Sequence, residues 1–225
     1  MRELIKDPFY ELVEKVEDKS EIPSGFVVLT DIAPDVIVEM RYYSEYNFVG
    51  KRIRGYEEPV ALVTRETALA LKKASEDVAL RGYRLKIWDA YRPQTAVDHF
   101  IEWAKDFSDV KMQQYFYPDQ EKANLFVYGF IASRSSHSRG SAVDVTLYDV
   151  RNGYDVDMGG TFDYFGERSY PDYPDLTEQQ KMHRDFLRIV MNKYGLKGIS
   201  TEWWHFILVD EPYPNRYFNF PVKRP

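Results

Sequence analysis

A strongly apolar run, Trp203–Trp204–His205–Phe206–Ile207–Leu208, carries an imidazole in its middle and begins directly after a carboxylate, Glu202. Its length and composition are those of a buried strand. Burying an unpaired carboxylate or imidazolium costs several kcal/mol. Any fold that takes this run into a core must bring partners to both groups or open a cavity beside them. In a regular strand Glu202 and His205 point to opposite faces. For the two to share one site, Glu202 must sit at a bend or bulge where the strand begins. A core histidine bonded to a backbone carbonyl, with Glu202 exposed at the strand end, satisfies the same constraint.

A second segment has this character: Ser135–Ser136–His137–Ser138–Arg139–Gly140–Ser141–Ala142–Val143–Asp144–Val145–Thr146. From Ala142 it reads as a strand. The period of two puts Val143, Val145 and Leu147 on a core face and Ala142, Asp144 and Thr146 on the other. Asp144 is thus a carboxylate with small neighbours and room around it. Gly140 permits a sharp bend before the strand, through which His137 can fold back toward Asp144. Taken alone, a loop histidine and a surface aspartate on a half-exposed strand are the plainer reading.

The chain has 225 residues, no cysteine and four histidines. Disulfides, thiolate metal sites and cysteine nucleophiles are excluded, and any metal must be held by His, Asp or Glu. Two histidines and one aspartate from the two segments are enough ligands for tetrahedral zinc with an open fourth position. Glu202 is then left over to move a proton. The net charge of −6 argues against a nucleic-acid or polybasic membrane surface. No run approaches the roughly 18 apolar residues that a membrane span needs. The opening Met1–Arg2–Glu3–Leu4–Ile5–Lys6–Asp7 lacks the apolar stretch of a signal peptide. A soluble cytoplasmic protein is the simplest expectation; an exported one whose leader has been removed is the alternative. The aromatic share of 16% suits a deep aromatic-lined cleft, and a large core equally well.

No repeat, low-complexity tract or linker divides the chain, which predicts one domain over residues 23–225 behind a charged arm at 1–22, helical or loosely attached. Strands are expected at 26–30, 36–42, 84–88, 142–148 and 203–209. Helices are expected at 64–82, capped by Thr64 with Ala68, Leu71, Ser75 and Val78 facing inward, and from Pro93, with Val97, Phe100, Ile101 and Ala104 inward. A third helix, 177–195, opens on a Thr177–Gln180 capping box and is expected to bury Met182, Phe186, Ile189 and Val190. Residues 112–128 give no clear period. Without regular βαβ alternation, the order predicts an α+β fold: a central, mostly antiparallel sheet flanked by helices, with a zinc site in a cleft at the sheet.

Within Trp88–Asp89–Ala90–Tyr91–Arg92–Pro93, Arg92 falls where a strand turns into a helix. Its fixed charge can stabilise an oxyanion, a contribution worth about 10²–10³ in rate. An ion pair with a structural acid such as Asp89 is the plainer reading.

Taken in order, Trp-Asp-Ala-Tyr-Arg-Pro, Ser-Ser-His-Ser-Arg-Gly-Ser-Ala-Val-Asp and Glu-Trp-Trp-His resemble the VanX-type D-alanyl-D-alanine dipeptidases. These belong to a zinc peptidase group that also holds D-Ala-D-Ala carboxypeptidases and the hedgehog signalling domain. The resemblance runs from about residue 25 to 222 and includes Asp210–Glu211–Pro212–Tyr213–Pro214. It implies one zinc ion held by His137, Asp144 and His205, with Glu202 as general base and acid and Arg92 stabilising the transition state. It also implies that Asp163 holds the dipeptide's ammonium group and that Ser135, Tyr42 and Phe100 line the substrate pocket. The implied reaction is hydrolysis of D-Ala-D-Ala to two D-Ala, on a small D,D-dipeptide.

The alternatives are a D,D-carboxypeptidase or endopeptidase acting on peptidoglycan, and a non-catalytic zinc-binding module of the hedgehog kind. The presence of both Glu202 and Arg92 argues against the second. Ala90 stands where the VanX sequence has Gly, which tightens the turn, and residues 1–22 have no counterpart in that compact dipeptidase. His99 and His183, in expected helices among charged neighbours, read as surface or packing residues. Asp155–Val156–Asp157 lacks the spaced acids of a calcium loop. Tyr115–Phe116–Tyr117–Pro118 either covers the cleft or packs against the body.

Overall fold

The computed structural model describes residues 16–18, 21–125, 127 and 130–225. Along the chain run β1 (Val16–Asp18), β2 (Phe26–Val28), α1 (Leu29–Ile32), β3 (Ile37–Val38), β4 (Leu62–Thr64), α2 (Arg65–Ala79), β5 (Tyr83–Asp89) and α3 (Gln94–Lys105). They are followed by α4 (Gln113–Phe116), β6 (Ala142–Asp149), β7 (Tyr154–Asp155), α5 (Glu178–Lys193), β8 (Leu196–Gly198), β9 (His205–Leu208) and β10 (Tyr217–Asn219). The main sheet has the order β3-β5-β6-β9-β8, with β7 paired to β6. Only β3 and β5 run parallel in it; the other pairs are antiparallel. This is the α+β architecture expected from the element order.

Helix α2 forms where the sequence places it. Thr64 caps it by accepting from the Thr67 amide, and Ala68, Leu71, Ser75 and Val78 are buried. The Thr177–Gln180 capping box of α5 is complete in both directions. Helices α2 and α5 pack side by side, α2 against β5 and α5 against β8. The buried face of α5 differs from the expected one. Met182 and Ile189 are 61% and 63% exposed, while Arg184, Leu187, Val190 and Met191 are buried. Apolar residues at 182, 186, 187, 189, 190 and 191 offer more than one stripe, so periodicity alone does not select a face. Arg184 turns inward with the buried stripe, where its donors satisfy backbone carbonyls beneath the helix.

Several expected strands are shorter. Residues 29–32 turn into α1, and β9 begins at His205, with Trp203 and Trp204 in a turn. The strand in the 36–42 stretch is only Ile37–Val38, although the Glu39 and Arg41 amides also donate to the Ile87 and Trp88 carbonyls. Both faces of β6 are covered: no residue from Ala142 to Leu147 is more than 2% exposed. The Asp144 face, half-exposed on the plainer reading, is covered around Asp144 by His137, His205 and Arg92. The unassigned stretch 112–128 holds α4 and a 3₁₀ turn, Lys122–Asn124. Phe116 and Tyr117 are buried, and Tyr117 packs on Trp103 and Phe165. The tyrosine-rich segment therefore packs and does not cover the cleft. In the N-terminal arm, Val16–Asp18 is a strand parallel to β10, with Glu17 accepting from Arg216 at 2.6 Å. The remainder of the arm up to residue 20 lies outside the described residues. Among the described residues no helix is long and apolar enough to cross a membrane.

Gly140 joins the turn before β6 to the rest of the fold. Its carbonyl accepts from the Thr64 amide at 2.8 Å, its φ is +79°, and a Cβ there would run into the Phe26 ring. Gly140→Ala combines a left-handed conformation with overpacking. It is expected to lower stability by about 2 kcal/mol or more, read as a drop in the urea midpoint with an unchanged m-value.

Candidate active site

A register shift in the sheet assembles the first half of the site. β5 and β6 pair Ile87 with Val145, then Asp89 with Asp144, so Trp88 is the extra residue of a bulge. On the other side of β6, Asp144 pairs with His205 of β9. Asp89, Asp144 and His205 thus lie abreast on three neighbouring strands.

His137 arrives from a 3₁₀ turn, Ser136–Arg139. Ser135 caps this turn by accepting from the His137 amide, and Gly140 ends it in the left-handed conformation. A bidentate ion pair of Arg139 with Glu211, at 2.8 and 2.7 Å, fastens the turn to the segment that leads into β10. The expected fold-back of His137 toward Asp144 is present: Nε2 lies 3.2 Å from Asp144 Oδ2.

Hydrogen bonds set the imidazole tautomers. The Ala90 carbonyl can only accept, and it lies 2.6 Å from His137 Nδ1. Nδ1 therefore carries the proton and Nε2 presents its lone pair. The Ser136 hydroxyl, which can donate or accept, meets His205 Nε2 at 3.1 Å and holds that ring so that Nδ1 faces the site. His137 Nε2 and His205 Nδ1 face each other at 3.1 Å, and His205 Nδ1 is 3.0 Å from Asp144 Oδ1. Lone pairs converging on one point repel unless a cation lies between them. The two imidazole nitrogens are 3.1 Å apart, near the edge, about 3.3 Å, of a tetrahedron with zinc–ligand bonds of 2.0–2.1 Å. Each faces a different Asp144 oxygen, and one donor atom from each of the three residues lies within 4.8 Å of the other two. The donor set fits a divalent metal.

The wider charge balance agrees. Four carboxyl groups, Asp89, Asp144, Asp163 and Glu202, surround one deeply placed cation, Arg92. Burial acts to raise Asp144, but positive charge and donated bonds on the side of His137 and then His205 outweigh it and hold that carboxyl far below the ordinary range, the part a cation between them would play. Burial raises Asp89, against the opposing charges of Arg92 and His137. Asp163 is raised well above its ordinary value by burial and then by the Asp144 charge.

Glu202 lies just before the Trp203–Trp204 turn that leads into β9, with Oε2 3.7 Å from His205 Nδ1. Its side chain is 36% exposed, so it reaches the cavity while lying beside the metal cluster. Burial raises it above the usual carboxylate range, with His205 opposing and Asp144 adding to the rise. Arg92 donates through Nε and Nη2 to Asp89 Oδ2, both at 2.9 Å, and its Nη2 is 3.6 Å from Asp144 Oδ2. Its guanidinium lies over the Tyr42 and Phe100 rings at 4.9 and 5.4 Å. The Tyr42 hydroxyl donates to Asp163 Oδ2 at 2.8 Å. Tyr42, Arg92, Phe100, Ser135, His137, Asp144, Asp163, Glu202 and His205 all line one cavity of about 300 Å³. His99 and His183 lie elsewhere, bonded to the Arg54 amide and the Asp157 carbonyl.

The family model described as Peptidase_M15, D-ala-D-ala dipeptidase, matches residues 23–223. This chain belongs to that family. It is 41% identical to the D-alanyl-D-alanine dipeptidase of Enterococcus faecalis over 89% of its own length and 99% of the relative's. It is 42% identical to the Enterococcus faecium D-alanyl-D-alanine dipeptidase over 88% and 98% of the two chains. The vancomycin resistance D,D-pentapeptidase VanY, solved with Zn(II), aligns with 14% identity and a TM-score of 0.40, over 70% of this chain and 78% of that one.

Three parts of this M15 peptidase site were not assigned a part in it from the sequence. Asp89, weighed only as a structural partner of Arg92, also accepts from the Tyr56 hydroxyl at 2.6 Å and lies 3.6 Å from His137 Nδ1. The Ala90 carbonyl and Ser136 orient the two imidazoles. A backbone carbonyl has no sequence signal, and Ser136 was visible only as a neighbour of His137. Removing its hydroxyl frees the His205 ring to rotate. Ser136→Ala is expected to weaken metal affinity about 10-fold or more, measured by competition with a chelating dye, with the thermal midpoint of the metal-free protein unchanged.

Proposed function

We propose that this chain is a zinc-dependent dipeptidase that hydrolyses D-Ala-D-Ala to two D-Ala. Residues 23–225 form the catalytic unit, with one zinc ion per chain and the cytoplasm as its place of action. The observation that carries the reading is the convergence of His137, Asp144 and His205 beside Glu202, within a chain of the D-Ala-D-Ala dipeptidase family. A free dipeptide as substrate is also consistent with a cavity of only about 300 Å³.

His137 through Nε2, His205 through Nδ1 and Asp144 through its carboxylate would hold the metal. When bound, zinc supplies a Lewis acid for the scissile carbonyl and a water acidic enough to lose a proton near neutral pH. Glu202 takes that proton and passes it to the leaving amine, a task suited to a carboxyl raised above its ordinary range. Arg92, pinned by Asp89, donates to the developing oxyanion, a contribution of about 10²–10³ in rate. Asp163, already bonded to Tyr42, pairs with the substrate's ammonium group. Tyr42 and Phe100 close the side of the cavity, and Ser135 lines it at the base of the His137 turn.

Acylating the substrate amine removes the partner of Asp163 and leaves a buried carboxyl facing a neutral amide. Loss of such a partner costs about 3–5 kcal/mol in buried pairs. N-acetyl-D-Ala-D-Ala is therefore expected to fall below D-Ala-D-Ala by about 10²–10⁴ in kcat/KM; equal rates would overturn the dipeptide assignment. Glu202→Ala is expected to lose at least about 10³ in kcat while retaining zinc. Both are read by metal analysis combined with detection of released D-Ala, with and without a chelator. Wild-type protein that holds zinc and releases no D-Ala would refute the reading.

A further inference from the structure

Arg184 of α5 is a buried guanidinium, 4% exposed, that spends its donors on backbone and not on an acid. Nε donates to the Met158 carbonyl at 2.6 Å, Nη1 to the Tyr170 carbonyl at 2.6 Å and Nη2 to the Arg168 carbonyl at 2.9 Å. Burial lowers its pKa to about 10, with Asp157 and Asp172 opposing, so it is cationic at neutral pH. Gly160 keeps the slot open: a Cβ there would lie 3.2 Å from the Arg168 carbonyl oxygen and 3.3 Å from Arg184 Nη2. Arginine suits the place because its planar fork presents several donors in fixed directions, whereas lysine offers one point charge.

The three carbonyls belong to the segment that walls the cavity. Asp163, Tyr164, Phe165, Ser169 and Tyr170 all line it. Asp163 has φ +58°, the only positive φ outside glycine among the described residues. Such a conformation persists only where the surroundings over-determine it. The bonds from Arg184 hold the segment on both sides of Asp163, one before it and two after. The Ser169 hydroxyl adds an internal tie by donating to the Tyr164 carbonyl, and the Trp203 amide donates to the Ser169 carbonyl at 2.9 Å.

We propose that Arg184 is a positioning residue for amine selectivity: by clamping both flanks of residues 158–170 it keeps Asp163 on Tyr42 inside the cavity. The clamp itself is a structural claim; its consequence for selectivity rests on the ammonium-binding role proposed above for Asp163. Arg184 spends its hydrogen bonds on the Met158, Tyr170 and Arg168 carbonyls and not on a metal-ligand candidate or on Glu202. Its one approach to that side is a face contact with the Trp203 ring at 5.4 Å, which a lysine cation at the same place can keep. Loosening the clamp should therefore weaken recognition of the free amine and spare metal binding and the chemical step.

The experiment uses the zinc-loaded chain and Arg184→Lys, with two readouts. Hydrogen exchange is expected to speed up about 10-fold or more in residues 158–170 while β6 and β9 keep wild-type protection. In kinetics, the preference for D-Ala-D-Ala over its N-acetyl form is expected to fall about 10-fold or more. That fall should come through a raised KM for the free dipeptide, with kcat within about 3-fold of wild type and zinc content unchanged. Unchanged exchange in the segment, faster exchange spread evenly over the chain, or an equal loss on both substrates would overturn the proposal. If the wild type does not hydrolyse D-Ala-D-Ala, the dipeptidase reading fails, and the exchange readout still decides whether Arg184 holds the segment. If Arg184→Lys does not fold, Gly160→Ala crowds the same slot with the arginine in place and is read in the same two ways.

Discussion

Asp144 is a carboxylate that the fold has removed from water, 2% exposed, in the middle of the main sheet. Such a charge survives burial only with close partners. Here the partners are two imidazoles, and the need to supply them organises much of the molecule. The bulge at Trp88 brings Asp89 abreast of Asp144, the β6–β9 register brings His205 to its other side, and the 3₁₀ turn ending at Gly140 delivers His137 from above. Each imidazole is in turn held by a second bond, to the Ala90 carbonyl or to Ser136. One donor atom from each of the three residues then lies within 4.8 Å of the other two, a set that fits a divalent cation.

The site divides between rigid and held parts. The metal cluster and Arg92 stand on or next to strands of the main sheet, where neighbouring strands fix backbone position to within a hydrogen bond. Arg92 is further constrained by Asp89 and by the rings of Tyr42 and Phe100. Asp163, which the proposed function assigns to the substrate's amine, stands instead on a long irregular segment. That segment has little secondary structure of its own and is secured from outside, by Arg184 beneath and by the Trp203 amide beside it. Reactive groups on the sheet and a selective group on a clamped loop form a division of labour common in enzymes built on sheets.

Much of this was legible in the residue order. The apolar run interrupted by His205 required a cavity or partner there, the alternation through 142–147 placed Asp144 opposite Val143 and Val145, and Gly140 marked the bend that returns His137. The caps at Thr64 and Thr177 marked two helix starts. These signals are local, carried by residues within one or two turns of each other. The buried face of α5 was not legible, because Met182 and Ile189 compete with Leu187 and Met191 for the same apolar period. Arg184 turns inward with the buried stripe, and its partners are carbonyls that any sequence could provide. Strand ends at residues 28, 38 and 205 were misjudged for a related reason: apolar content predicts burial, and burial here continues into turns.

By itself the sequence determined which chemistry is possible: no thiolate, a His–Asp–His set with a spare glutamate, one arginine at a strand–helix junction, and a motif order shared with the D-Ala-D-Ala dipeptidases. Tertiary structure alone decided that these groups meet. The register shift that aligns Asp89 with Asp144, the bond between Tyr42 and Asp163, and the inward turn of Arg184 all depend on contacts between segments far apart in the chain. Side-chain type is written locally, but position comes from the packing of distant elements, and only the second brings lone pairs and charges within 3 to 4 Å of one another.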